Sequence, residues 1–338
     1  MLGKGAGGLE AMALHAHKAL ETEGAVVMSV GSPGSWLGEA FDAGADYRPF
    51  SVWGRLDVGA PGRLRRLTET FAPQLIIAHG SRAASLALKA FAGRLPVVVV
   101  VHNFRARKDL AKASLAICVS HAVQEDVFER FADLRAVVVE NFAPLKAGPG
   151  PVAHDGPPVI GSIGRLHRNK GYDVLLKAAE ILKGRGIGFH LTLAGDGPER
   201  AALEALSASL GLGDLVAFPG WMDSPVEVLK TLDLFVLSSR IEPFGLVVIE
   251  AMAYGTPVVA TDIDGPRDIL AGGQLGRLAP KDDPEALAAA IAAALADPAG
   301  ALAMAKLAQA SALERYSLKA GGARLAAALS PLLKDRRS

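Results

Sequence analysis

The sequence predicts an α/β protein of two doubly wound domains, each built on a parallel sheet, facing each other across a cleft. Three observations predict it. The chain has 338 residues, about twice the ~150 of an ordinary domain. Short apolar runs alternate with loops and helical periods, the mark of parallel βαβ units. Between Ala143 and Pro158, eight of sixteen residues are Pro or Gly, which sustains neither helix nor central strand and separates two series of runs. The expected division is a first domain over 1–142, a linker over 143–158, a second domain over 159–312, and a closing helical segment over 313–338 that returns to the first domain.

The strands follow from the apolar runs in order. In the first series these are Leu75 to Ala78, Val97 to Val101, Ala116 to Val119 and Val137 to Val139. In the second they are Val159 to Ile163, His190 to Ala194, Leu215 to Phe218, Leu234 to Leu237 and Pro257 to Ala260. Helices are predicted where the period changes to 3.6, as at Val174, Leu175, Ala178, Ala179 and Leu182. Leu246 to Tyr254 and the Ala-rich Glu285 to Ala296 read as helices too. Ligands of open α/β sheets bind at the carboxyl ends of strands, so the loops after strands hold the candidate site.

Composition excludes several classes. Half the residues are hydrophobic and 21% are charged, which rules out disorder as the main state. Lys and Arg number 36 against 35 Asp and Glu, a balance that gives no electrostatic case for nucleic acid. A single cysteine, Cys118, excludes an internal disulfide or a multi-thiolate metal centre and suits a reducing cytoplasm. No run approaches the ~18 apolar residues of a membrane span.

Two loops carry chemistry. Gly164-Arg165-Leu166-His167-Arg168-Asn169-Lys170-Gly171 follows a strand, and its guanidinium and ammonium suit the oxygens of a diphosphate without metal. By itself such a loop is as readily a solvated basic turn. Glu242-Pro243-Phe244-Gly245-Leu246-Val247-Val248-Ile249-Glu250 runs from a strand into a helix. Gly245 permits close approach of a ligand, and the unpaired amides of the helix start form an anion site. Alone, Glu242 reads as a loop residue and Glu250 as a surface helix residue.

In order and spacing the two loops resemble the retaining nucleotide-sugar glycosyltransferases of family 4, the glycosyl transferases group 1, which have the GT-B fold of two Rossmann-like domains. The resemblance rests on the Glu-x7-Glu pattern from Glu242 to Glu250, on Arg165 and Lys170, and on Ala194-Gly195-Asp196-Gly197-Pro198-Glu199. More loosely it extends to Gly7-Gly8-Leu9-Glu10, Val101-His102-Asn103 and Cys118-Val119-Ser120-His121-Ala122.

The resemblance implies that Arg165 and Lys170 grip the donor diphosphate, Glu242 the donor sugar and Glu250 the ribose. The amides of Phe244, Gly245 and Leu246 would meet sugar and phosphate oxygens, with Gly195 also on the donor side. Gly7 and Gly8 would let the opening loop close over the diphosphate, and His102 would line the reaction centre from the acceptor side. It further implies a nucleotide-sugar donor, a carbohydrate or lipid-linked acceptor, no metal or other cofactor, and a place in cell-surface polysaccharide or lipopolysaccharide synthesis. The expected location is cytoplasmic, with weak peripheral contact on anionic membrane through Arg63 to Arg66 or Arg105 to Lys112.

Other readings compete. A glycoside hydrolase also uses two carboxylates, but has no diphosphate for Arg165 and Lys170 to hold. A non-catalytic sugar-nucleotide-binding or scaffolding protein of the same fold is the alternative from another class. Gly3 to Gly8 fits G-x-G-x-x-G, yet no strand precedes it, as a dinucleotide site requires. Relatives open with an apolar strand where this chain has only Met1 and Leu2; that strand is expected to be missing, with the true start lying upstream. Asp262-Ile263-Asp264 reads as a cap or turn rather than a metal site, His79 as a structural histidine and Cys118 as core packing.

Overall fold

The computed structural model describes residues 2, 7–41, 45–54, 57–104, 107–152, 154–222 and 224–334. The chain forms two units, Met1–Pro144 with Ser317–Ser338, and Leu145–Tyr316.

The first unit runs through α1 (Gly8–Thr22), β1 (Met28–Gly31), α2 (Trp36–Glu39), β2 (Asp46–Pro49), α3 (Ala60–Thr68), β3 (Ile76–His79), α4 (Ser81–Phe91), β4 (Val97–Val101), β5 (Leu115–Cys118), α5 (His121–Arg130) and β6 (Ala136–Val138). Strands β3 to β6 form a parallel sheet in sequence order, and β1 and β2 pair separately. The five valines of β4 are all buried, as befits a strand covered on both faces. Cys118 is also buried, and its thiol is pushed up to about 12 by desolvation, so it packs rather than reacts.

The pair β1 and β2 has no counterpart among the predicted strands. Strand β1 continues the apolar run Ala25-Val26-Val27-Met28, which the sequence reading passed over, whereas Asp-Tyr-Arg-Pro of β2 is short and half-buried or exposed and carries no apolar run. The expectation of an upstream start and most of the Gly3 to Gly8 motif fall on residues 1 and 3–6, outside the described residues.

The second unit contains β7 (Val159–Ile163), α6 (Tyr172–Gly184), β8 (His190–Ala194), α7 (Arg200–Ser209), β9 (Val216–Gly220), α8 (Pro225–Leu229), β10 (Leu234–Leu237), α9 (Leu246–Tyr254), β11 (Val258–Thr261), α10 (Asp264–Ile269), β12 (Arg277–Ala279), α11 (Pro284–Ala296) and α12 (Pro298–Arg315). Its six strands are parallel in the order β12-β11-β10-β7-β8-β9. The order reverses between β7 and β10, which register through Leu234 on Ile160 and Phe235 on Gly161. That reversal is the topological switch point of a doubly wound sheet, and the loops leaving β7 and β10 are adjacent there.

Two boundaries differ from the sequence reading. Much of the Pro- and Gly-rich segment is docked on the second unit: Gly148 N–H donates to Ala253 O at 3.0 Å and Gly150 N–H to Tyr254 O at 2.8 Å. The Gln309 amide fastens the same place, donating to the carbonyls of Gly148 and Ala253 at 2.8 Å each. At the far end α12 continues unbroken past residue 312, and the division falls after the fully buried Tyr316. Beyond it α13 (Leu318–Lys334) packs on α1 within the first unit, where Gly321 abuts Phe142 and Gly322 abuts Ala19. A Cβ at Gly321 would overlap the Phe142 ring.

Candidate functional site

At the end of β7 the chain turns through Gly164 (φ +154°) and reaches a short 3-10 turn, Arg168–Lys170. His167 starts that turn, its Nδ1 accepting the Asn169 N–H at 3.2 Å. Gly171 ends it in the left-handed region (φ +63°), where any Cβ would overlap the carbonyl oxygen of Ser238. The close approach that glycine permits seats this loop against the one leaving β10.

In that second loop Ser238, Ser239 and Glu242 are all hydrogen-bonded. Ser238 Oγ donates to Lys170 O at 2.9 Å. Ser239 Oγ donates to Glu242 Oε2 at 3.2 Å, while its own carbonyl accepts from Thr261 Oγ1 at 2.7 Å. Lys170 Nζ donates to the same Glu242 oxygen and forms an ion pair with it. The side chains are 24% and 13% exposed, so the pair is shielded enough for its charges to interact strongly yet open enough for a ligand to reach.

The loop ends at Gly245 (φ +112°), from which α9 starts. The Phe244 side chain is buried, edge-on to Tyr316 with ring centroids 5.6 Å apart, so its ring is taken up by packing. The amides of Phe244, Gly245 and Leu246 find no backbone acceptor among the described residues. They form the donor cluster of a helix start. One turn in, Glu250 is half-buried, and desolvation pushes its carboxyl up to about 7. This corrects the picture of a surface helix residue.

Of the residues predicted for the donor side, Lys170 and Glu242 are in direct contact. Their separate assignments to diphosphate and sugar therefore converge on one ion pair. Arg165 is exposed and makes no hydrogen bond or ion pair among the described residues, which leaves its guanidinium available. Gly195 (φ +141°) stands against Gly164, where a Cβ would overlap the Gly164 carbonyl. Its N–H donates to Gly220 O at 2.7 Å. Gly195→Ala is expected to cost about 3 kcal/mol, by urea unfolding, through forced overlap and a disfavoured φ. A cost near zero would show that this turn relaxes freely.

Within the first unit, His102 Nε2 lies 3.1 Å from His79 Nδ1, so one ring donates to the other. Burial pushes His102 down to about 4. It pushes His79 well below its ordinary range, with the neighbouring His102 contributing. Both imidazoles are thus neutral at pH 7. His102 lines a cavity of about 130 Å³ with Leu9, Ser81, Asn103 and Arg107. Gly7 and Gly8 immediately precede Leu9, but Gly7 is extended (φ −174°) and Gly8 begins α1, so neither conformation demands glycine.

Among the described residues no three His, Cys, Asp or Glu side chains are grouped to hold a metal ion. Asp262 is paired with Arg267 at 2.5 Å, and Asp264 opens α10. Sequence reasoning missed Ser238, Ser239, Arg240, Asp173 and Thr261, whose partners lie up to 72 residues away and leave no spacing signal.

Two family models match the chain in succession. Glycosyltransferase Family 4 covers residues 6–146, and Glycosyl transferases group 1 covers residues 150–311, including Arg165, Lys170, Gly195, Glu242, Gly245 and Glu250. The chain belongs to the family 4, group 1 glycosyltransferases. Among curated proteins, it is 40% identical over 140 residues to the lipopolysaccharide core biosynthesis glycosyltransferase LpsE of Rhizobium meliloti, covering 41% of this chain and 40% of that one. It is 31% identical over 211 residues to the lipopolysaccharide core biosynthesis mannosyltransferase LpcC of Rhizobium leguminosarum, covering 58% of each. The matches thus span about half the length of these curated relatives.

The fold is that of solved glycosyltransferases of the GT-B type. HepE of Anabaena, crystallised with UDP and glucose, superposes with a TM-score of 0.82 at 22% identity over 98% of both chains. The lipopolysaccharide outer core galactosyltransferase WaaB gives 0.75 at 19% identity, again over 98% of both.

Proposed function

We propose that this protein is a retaining glycosyltransferase that moves a sugar from a nucleotide-diphosphate donor to a carbohydrate or lipid-linked acceptor in lipopolysaccharide or cell-surface polysaccharide synthesis. The observation that carries the reading is the convergence, at the switch point of the second unit, of the Lys170–Glu242 pair with the free amides at the start of α9. Similarity to LpsE and LpcC, named for lipopolysaccharide core synthesis, supports the product class.

In this reading the donor diphosphate lies over the amides of Phe244, Gly245 and Leu246, with Lys170 and Arg165 on its oxygens. As the sugar–phosphate bond breaks, negative charge grows on the leaving phosphate. Two fixed cations and a helix start stabilise that charge without reorganising. Glu242, held by Ser239 and Lys170, orients the sugar hydroxyls, and Glu250 accepts from the ribose. The acceptor attacks from the face the nucleotide leaves, and the departing phosphate oxygen takes its proton, which preserves anomeric configuration. His102 faces the acceptor as a neutral imidazole. No metal takes part.

Weak contact with anionic membrane is part of the proposal. It is supported by Trp53, 78% exposed, which lines a groove of the first unit with Arg66. Among the described residues no single helix is long and apolar enough to cross a membrane.

Thermal shift against UDP, GDP, ADP, dTDP and CMP, with and without EDTA, tests the reading. A ligand at a hundred times its Kd adds about 2.7 kcal/mol to the native state. One nucleoside diphosphate is expected to raise Tm by several degrees, unchanged by EDTA. Loss of the shift in EDTA would overturn metal independence, and no shift with any nucleotide would overturn the donor site.

A further inference from the structure

Arg240 lies three residues beyond β10 and takes no part in the reaction as described. Its guanidinium nevertheless makes four hydrogen bonds. Nη1 and Nη2 donate to the two carboxylate oxygens of Asp173 at 2.7 and 2.8 Å. Nη1 also donates to the carbonyl of Arg168 at 2.9 Å, and Nε to Asp282 at 2.5 Å. The backbone joins in, because the Arg240 and Ile241 N–H groups both donate to Asn169 O, at 2.7 and 3.3 Å.

These partners belong to three segments. Arg168 and Asn169 are in the turn that ends at Lys170, Asp173 is in the first turn of α6, and Asp282 follows β12. Asp282 is held at φ +59°, a backbone region that costs free energy for a residue with a Cβ. The Asp173 pairing is bidentate, the geometry that fixes direction as well as distance. The hydrogen bond from Arg240 holds the Asp173 carboxyl below its ordinary range, opposed by partial burial.

We infer that Arg240 is a positioning residue: its guanidinium clamps the loop bearing Lys170 to the loop bearing Glu242 and so sets where the ion pair stands at the start of α9. The inference rests on the reading of Lys170 and Glu242 as donor-binding groups. Arg240 touches neither Lys170 nor Glu242 through its side chain, so its effect passes through the backbone of Arg168 and Asn169 on one side and its own chain on the other. A lysine keeps the charge at this position but cannot span Asp173, Asp282 and the Arg168 carbonyl together.

The test uses Arg240→Lys and Asp173→Asn in the full chain, with two readouts. Hydrogen exchange read by mass spectrometry follows peptides across 164–172 and 237–245. In Arg240→Lys both are expected to exchange faster together, with the rest of the second unit unchanged. Faster exchange in one alone, or in neither, overturns the clamp whether or not the donor assignment is right.

The second readout is the Kd of the nucleoside diphosphate that shifts wild type, with kcat and KM for the matching probe among UDP-glucose, GDP-mannose, ADP-glucose and dTDP-glucose. Arg240→Lys is expected to weaken the Kd and lower kcat by about tenfold each, and Asp173→Asn by less, with Tm little changed. A lower Tm with unchanged Kd and kcat would make Arg240 merely structural. If wild type binds no probe, the donor reading fails by itself, and the exchange data still decide whether the loops are coupled.

Discussion

Replacing Lys170 with alanine is expected to lower kcat for sugar transfer about a thousandfold, with a much smaller change in KM for the donor. In the proposed mechanism the ammonium meets a diphosphate whose charge increases as the glycosidic bond breaks, so its contribution is larger in the transition state than in the ground state. Steady-state kinetics on the donor identified by thermal shift checks this, and an unchanged kcat would remove Lys170 from the mechanism.

The ion pair with Glu242 adds a stability effect that must be separated from the catalytic one. Removing Lys170 leaves a carboxylate only 13% exposed with Ser239 as its remaining partner among the described residues. A half-broken buried pair costs more than no pair. The double variant Lys170→Met with Glu242→Gln removes both charges together. It is expected to regain most of the stability lost in Lys170→Ala and none of the turnover.

Glu250→Gln is expected to stabilise the free protein at pH 8 and to weaken nucleotide binding there. The wild-type carboxyl has a folded pKa near 7 against an ordinary 4.5. Between those values the folded state holds a proton that the unfolded state has released. Stability is therefore complete below pH 4.5 and falls as pH rises through 7. At 1.36 kcal/mol per pKa unit the loss by pH 8 is about 3 kcal/mol, and glutamine, which does not ionise, avoids it.

Binding runs the other way, because ribose hydroxyls donate more strongly to a carboxylate than to an amide. Nucleoside diphosphate affinity of wild type is expected to weaken as pH falls below 7, with glutamine about tenfold weaker at pH 8 and insensitive to pH in this range. Denaturant melts and isothermal titration from pH 5.5 to 8.5 check both halves. An equal pH dependence in the two proteins would place the titrating group elsewhere.

The cost of ionising Glu250 supports its proposed place in the donor site. Its position was legible in the sequence, eight residues after Glu242, but its burial was not. A helix of period 3.6 with apolar residues on nearly every position, as in Leu246–Tyr254, gives no exposed face from which the depth of one carboxylate could be read.

Elsewhere the same division holds. Strands β4, β7, β8 and β10 occupy the runs predicted for them, because an apolar run bounded by turn residues is encoded within a window of a few side chains. The start of α9 is local in the same sense, set by Gly245 and the residues on either side. The short polar strand β2 lacks such a window. The glycine cluster is legible at Gly7 and Gly8, whereas the backbone conformation there, extended at Gly7 and helical from Gly8, is not.

The sequence by itself determined the two α/β series, the loops after their strands and the residue types that suit a diphosphate. Only the tertiary structure decided that Lys170 and Glu242 share a bond, that Phe244 turns its ring inward, and that Arg240 spans three segments. The reason is the strand order: β10 pairs with β7, so loops some seventy residues apart become neighbours. That adjacency comes from packing the whole sheet, which no window of local sequence contains.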